Sequence, residues 1–186
     1  MSYEDIRRTA VEEISSVVSR VNAEEMDRLA AAIRAARSVF VAGAGRSGLA
    51  IRGFAMRLMH MGIAAHVVGD VTTPALQPGD LLVIASGSGS TPSLVAVAAQ
   101  AVKRGGTTAL LTIDPQSPLA GTAAVVVRVP APSPKAAAKD SVTSRQPMAT
   151  LFEQALGVLL DSCIMLLMQL TGVNEQAMFQ RHANLE

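Results

Sequence analysis

The sequence predicts a doubly wound α/β fold, a five-stranded parallel sheet sandwiched by helices and preceded by two further helices. Three observations carry this. Five short runs rich in Val, Ile and Leu recur along the chain, stretches with apolar residues at helical spacing lie between them, and turns dense in Gly, Ser and Thr close the first and third runs. At 186 residues and 49% hydrophobic side chains, the chain is long enough for one well-buried core and short for two. A single domain over residues 1–186 is therefore expected, with N-terminal helices to residue 37, a sheet core over 38–130 and C-terminal helices over 141–186.

From Ile6 through Ala10, Ile14, Val17 and Val21 the apolar residues keep helical spacing, and a second helix runs from about Ala23 to Ala36, with Asn22 and Glu25 placed as a capping pair. Strands are expected at Ser38 to Ala42, Ala64 to Val68, Leu81 to Ala85, Thr107 to Thr112 and Ala124 to Val129. Helices from Ser47 to Met61 and from Pro92 to Arg104 join the first strand to the second and the third to the fourth. Such links are right-handed crossovers, which make the sheet parallel, cover both its faces and suit a flavodoxin-like winding. Pro130 to Lys139 reads as a mobile loop rather than a domain boundary, because the segment C-terminal to it is too short to fold alone. Leu151 to Leu170 is apolar enough to suggest a membrane span. It carries Glu153, Gln154, Asp161 and Gln169, which a lipid-facing helix bears only at considerable cost, so a buried helix at a subunit interface fits better.

Composition excludes several functions. The formal net charge is +1 without a basic run, and aromatic residues make up 3% with no Trp, so neither nucleic acid nor an anionic membrane is an expected partner. Cys163 is the only cysteine and reads as a buried core thiol. The start, Ser2 to Arg8, is mixed in charge rather than basic and then apolar like a signal peptide, which points to the cytoplasm.

The chemistry concentrates at two turns. Ser86-Gly87-Ser88-Gly89-Ser90-Thr91 joins a strand to a helix, where N–H groups, the helix dipole and the hydroxyls of Ser86, Ser88 and Thr91 together suit a phosphate. A cap alone needs one hydroxyl. In this fold class the loop Gly43-Ala44-Gly45-Arg46-Ser47-Gly48 lies beside it, outside the carboxyl ends of the strands. Its spacing is G-x-G-x-x-G, and Asp70 stands near the offset of a ribose-binding acid, so a dinucleotide site is an alternative. Against that stand the hydroxyl cluster next door and the absence of a substrate domain. The favoured role for Gly43 to Gly48, Gly45 included, is a close-approach backbone turn, with Arg46 and Ser47 facing a phosphorylated substrate. In the last third, Glu153 falls in or near the first turn of a helix beginning at about Ala149, where the dipole stabilises a carboxylate, a position that plain helix-end electrostatics would also explain. His60 reads as a partner of its helix's C-terminal dipole, His66 as structural, and His182 as either an idle tail residue or a functional one. No His, Cys or acidic pair has metal-ligand spacing, and no metal or cofactor is expected.

The pattern Ser86-x-Ser88-x-x-Thr91 with Gly45-Arg46-Ser47-Gly48 resembles the sugar isomerase (SIS) domain family, which binds phosphosugars on a five-stranded parallel sheet. Further segments are similar to its 6-phospho-3-hexuloisomerase branch: Ala55 to Gly62, Thr72-Thr73-Pro74, Ser144 to Gln154 and the terminal Arg181-His182-Ala183-Asn184-Leu185-Glu186. Ala149 departs from the Gly expected after Gln146-Pro147-Met148. The resemblance covers nearly the whole chain. It implies a homotetramer that interconverts D-arabino-3-hexulose 6-phosphate and fructose 6-phosphate through a cis-enediolate, in formaldehyde fixation by the ribulose monophosphate pathway or in pentose-phosphate supply. It also implies Glu153 as the base, His182 as an acid/base group serving an adjacent subunit's site, and Gly45, Arg46, Ser47, Ser86, Ser88 and Thr91 as the substrate and phosphate site. The rival activities are an aldose–ketose isomerase of the arabinose 5-phosphate type, which usually appends regulatory domains, and a non-catalytic phosphosugar sensor, which would have no use for Glu153.

Overall fold

In the computed structural model, residues 1–135 and 141–185 are described. Two N-terminal helices come first, α1 (Tyr3–Val18) and α2 (Ala23–Ala35). They lead into β1 (Val39–Gly43), α3 (Gly45–His60), β2 (Ala65–Val67), β3 (Leu81–Ala85), α4 (Pro92–Lys103), β4 (Thr107–Thr112), a short 3₁₀ turn at Ala120–Thr122, β5 (Val125–Arg128), α5 (Thr150–Thr171) and α6 (Glu175–Phe179). The five strands form one parallel sheet in the order β2-β1-β3-β4-β5. That is the doubly wound order expected, with the switch point between β1 and β3.

The strands read as near-continuous apolar runs because both faces are covered. Val39, Val41, Leu81, Val83, Ala85, Ala109, Leu111 and Val127 point to the main core with residues of α2, α3 and α5. The alternate residues Phe40, Ala42, Leu82, Ile84 and Leu110 meet Leu94, Ala98 and Ala101 of α4 on the other side. The covering is unequal, since one long helix serves the second face. α5 buries nine side chains, from Leu151 through Cys163 to Leu167, and is the core helix of the first face. It ends where Gly172 takes φ +74°, a left-handed C-terminal cap.

Several expected boundaries shift for local reasons. α3 begins at Gly45 rather than Ser47, because Gly45 takes φ +56° and turns the chain out of β1 at once. Asn22 does cap α2, its Oδ1 accepting from Glu24 N at 2.8 Å, but Glu25 is no capping partner. Its Oε2 accepts instead from Arg128 N of β5 at 2.8 Å. The capping box is at α1, where Ser2 Oγ accepts from Asp5 N at 3.2 Å and Asp5 Oδ2 accepts from Ser2 N at 3.0 Å. The C-terminal helical region starts at Thr150, and residues 141–149 form a turn-rich lead into it. Of the loop expected from Pro130, Pro130 and Ala131 are buried, and residues 136–139 lie outside the described residues.

Candidate active site

Parallel pairing of Gly43 with Ala85 sets the two turns side by side, since each leaves its strand at the next residue. The first turn is tight. A Cβ on Gly48 would lie 2.7 Å from the Gly43 carbonyl oxygen, so both glycines are needed for α3 to start against the end of β1. Three carbonyls of the second turn are drawn inward. Gly87 O accepts from Ile113 N at 3.0 Å and from Thr112 Oγ1 at 3.1 Å, Gly89 O accepts from Leu119 N at 3.0 Å, and Ser86 O accepts from Gly89 N at 3.1 Å. What this turn offers a ligand is therefore N–H and hydroxyl donors, the set that suits an anion. Gly89 holds φ +58°, and a Cβ there would collide with Ser117 Oγ, whose buried hydroxyl has no hydrogen-bond partner among the described residues.

The three hydroxyls differ in burial. Ser86 is buried, whereas Ser88 and Thr91 are half-buried. Thr91 occupies the N-cap of α4, ahead of Pro92, yet makes no side-chain capping bond. Its hydroxyl is not committed to the helix, which argues against the reading of this turn as a cap.

α5 delivers the carboxylate. Phe152 lies under the second turn, its Cδ1 3.4 Å from where a Cβ of Gly87 would be, which fixes the first turn of α5 beside the hydroxyls. Glu153, half-buried in that turn, accepts from Arg46 Nε at 2.8 Å across to the first turn of α3. The N-termini of α3, α4 and α5 thus converge at the carboxyl edge of β1 and β3, and their dipoles favour negative charge there. Gly45, Arg46, Ser47, Ser86, Ser88, Thr91 and Glu153 all belong to this one place. A carboxylate, a guanidinium and a ring of donors can hold an anion and move a proton nearby. Asp70, the acid of the dinucleotide alternative, is tied to α3 by Arg52 Nη2 at 2.9 Å.

His182 stands elsewhere. Its exposed ring stacks on His60 at 5.3 Å and on Phe179 at 6.1 Å between centroids. His60 ends the 16-residue α3 whose second residue is Arg46, so the two lie about 21 Å apart along the helix at 1.5 Å per residue. Within one chain, His182 and Glu153 do not meet. The tail is anchored by Arg181, whose Nη1 donates to His60 O at 3.1 Å and to Ala177 O at 3.0 Å while its guanidinium rests on Gly62. Burial lowers the pKa of His60, and the neighbouring charges of Arg57 and His182 add to the effect. Local sequence spacing does not link His60 to the tail. The available signal was Gly62, whose φ of +86° leaves room for a guanidinium at the end of α3. Two cavities of about 430 Å³ lie away from the three helix ends, one beside His182 and one under α4 against Phe40 and Leu82.

Residues 32–156 match the family model of the SIS domain. A 3-hexulose-6-phosphate isomerase of Bacillus subtilis (strain 168) is 46% identical over 174 residues, which are 94% of this chain and 94% of that one. A 3-hexulose-6-phosphate isomerase of Mycobacterium gastri is 46% identical over 175 residues, 94% of this chain and 87% of its own. Among solved structures, a Methanococcus jannaschii protein for which the function of 3-hexulose-6-phosphate isomerase has been inferred superposes with a TM-score of 0.85 at 29% identity, covering 98% of this chain and 99% of its own.

Proposed function

The chain belongs to the SIS domain family, and from that premise we propose that it is a 3-hexulose-6-phosphate isomerase, interconverting D-arabino-3-hexulose 6-phosphate and fructose 6-phosphate. The observation that carries the reading is 46% identity across 94% of both chains to a relative of that name. The pairing of Arg46 with Glu153 at 2.8 Å beside a donor-lined turn supports a mechanism for it.

The reaction moves a carbonyl from C3 to C2. Glu153 takes the proton from C2, a carbon acidified by the adjacent carbonyl, and the electron pair forms the C2–C3 double bond as the oxygen at C3 becomes the enediolate oxygen. Arg46 faces that developing charge. The hydroxyl proton on the oxygen at C2 passes to the oxygen at C3, the carbonyl re-forms at C2, and Glu153 returns its proton to C3. One carboxylate thus serves both transfers. Ser86, Ser88 and Thr91 hold the phosphate as a remote handle, which orients the reacting carbons without touching them. A 3-ketose phosphorylated at position 6 has no hydroxyl placed for an unstrained five- or six-membered ring and arrives open. Fructose 6-phosphate is cyclic, and opening its ring is the task assigned to His182.

Because His182 and Glu153 sit at opposite ends of α3, the reading has the histidine serve a neighbouring subunit's site within a homotetramer. The exposed Val158, Met165 and Leu170 of α5 support a subunit contact on that helix. A cytoplasmic location belongs to the same reading. The test supplies 3-hexulose 6-phosphate, made in situ from formaldehyde and ribulose 5-phosphate by a synthase. Appearance of fructose 6-phosphate supports the assignment, and no product with folded protein overturns it.

A further inference from the structure

The first turn of α5 has no cap of its own. Its N-cap, Ala149, makes no side-chain hydrogen bond, and the preceding Met148 sits at φ +58°, a left-handed conformation unfavourable to a side chain. Such a conformation persists where its surroundings impose it. On one side the imposition comes from the buried Leu151 and Phe152. On the other it comes from α1. Glu13, half-buried on that helix, accepts from Ser144 Oγ at 2.7 Å, from Arg145 N at 2.8 Å and from Gln146 Nε2 at 3.2 Å. The partners lie 131–133 residues further along the chain, and one carboxylate holds three consecutive residues. Burial tends to raise the pKa of Glu13, but the three hydrogen bonds and the charge of Arg145 outweigh it and leave the carboxyl below its ordinary value. It is then an acceptor only, matched to three groups that each donate to it.

We propose that Glu13 is a positioning residue for catalysis: by clamping Ser144 to Gln146 it sets the entry of α5 and so holds Glu153 against Arg46. The proposal rests on the reading of Glu153 as the base. It gives α1, otherwise a peripheral helix with Val17 as its one fully buried residue, a part in the chemistry.

The test uses the full-length protein and compares Glu13→Ala, Glu13→Gln and Ser144→Ala with wild type. In Glu13→Ala, amide hydrogen exchange over residues 144–153 is expected to speed by tenfold or more. kcat should fall about tenfold while KM for the phosphosugar stays within twofold, because the phosphate turn at 86–91 is built on other elements. Glu13→Gln keeps the shape and part of the accepting capacity, so it should recover an intermediate kcat. Ser144→Ala should lower kcat in the same direction and add little to Glu13→Ala. If Glu13→Ala does not fold, Glu13→Gln and Ser144→Ala carry the same comparison. Unchanged exchange over 144–153 overturns the clamp. So does normal kcat despite faster exchange, or a loss in which kcat and KM change together with the melting temperature. Full turnover in a Glu153→Gln control overturns the proposal through its premise, a result separable from the others because the exchange effect of Glu13→Ala would survive.

Discussion

Thr91 stands at the N-cap of α4 without using its hydroxyl on the helix, and Ser86 and Ser88 precede it on a turn of which three carbonyls are bonded to the protein. If these hydroxyls hold the phosphate, replacing any one of them by Ala should weaken phosphosugar binding by about 1–3 kcal/mol, the range for hydrogen bonds to a charged group. Calorimetry on the three variants checks this, and unchanged affinity in all of them removes the turn from the site. These residues were legible in the sequence because one turn carries them within six positions. Glu153 was legible from spacing only as a first-turn carboxylate, a common feature, and its expected role as base came from the resemblance alone; its contact with Arg46, 107 positions away, required the fold. The contacts of His182 with His60 and of Glu13 with Ser144 to Gln146 were not legible at all. They join side chains 122 or more residues apart, and no local spacing encodes them.

The elements themselves were legible where hydrophobic periodicity decides, and less so where a single contact does. All five strands and both crossovers follow from apolar runs, whereas the expected Asn22–Glu25 pairing failed because Arg128 N–H claims the carboxylate. The start of α3 offers a sharper test. Gly48→Ala puts a methyl 2.7 Å from the Gly43 carbonyl oxygen, where backbone blocks relief, and should cost about 1–3 kcal/mol by overpacking. Gly45→Ala meets open space and only the left-handed penalty, about 1–2 kcal/mol. Urea denaturation should rank Gly48→Ala at or beyond Gly45→Ala; the reverse order would contradict the close approach. At the other end of α3, the folded-state pKa of His60 lies below its ordinary value, owing first to burial and then to Arg57 and His182. Below about pH 6.5 the unfolded chain therefore binds more protons at this site than the native one, and the stability present above that pH is lost as it falls. His60→Gln should flatten this part of the stability profile between about pH 7.5 and 5.5. An equally steep profile in the variant would place its cause in other groups.

At the scale of the molecule, the sheet order and the convergence of three helix N-termini support the proposed anion site within one chain, while the remoteness of His182 makes a neighbouring chain necessary to the proposed mechanism. Mixing inactive His182→Ala with inactive Glu153→Gln subunits after reversible dissociation should restore part of the activity, since some mixed sites would hold both native residues. Verified hetero-oligomers that stay inactive would contradict sharing. The central claim, proton transfer between C2 and C3 by Glu153, is tested most directly by incubating fructose 6-phosphate with the protein in D₂O and locating the deuterium by NMR. The account predicts label at C3, because the carboxylate takes that proton and exchanges it with solvent, and labelling slower by about a hundredfold or more in Glu153→Gln. Label at C1 would mark an aldose–ketose isomerase instead, and labelling at the wild-type rate in Glu153→Gln would place the base on another residue.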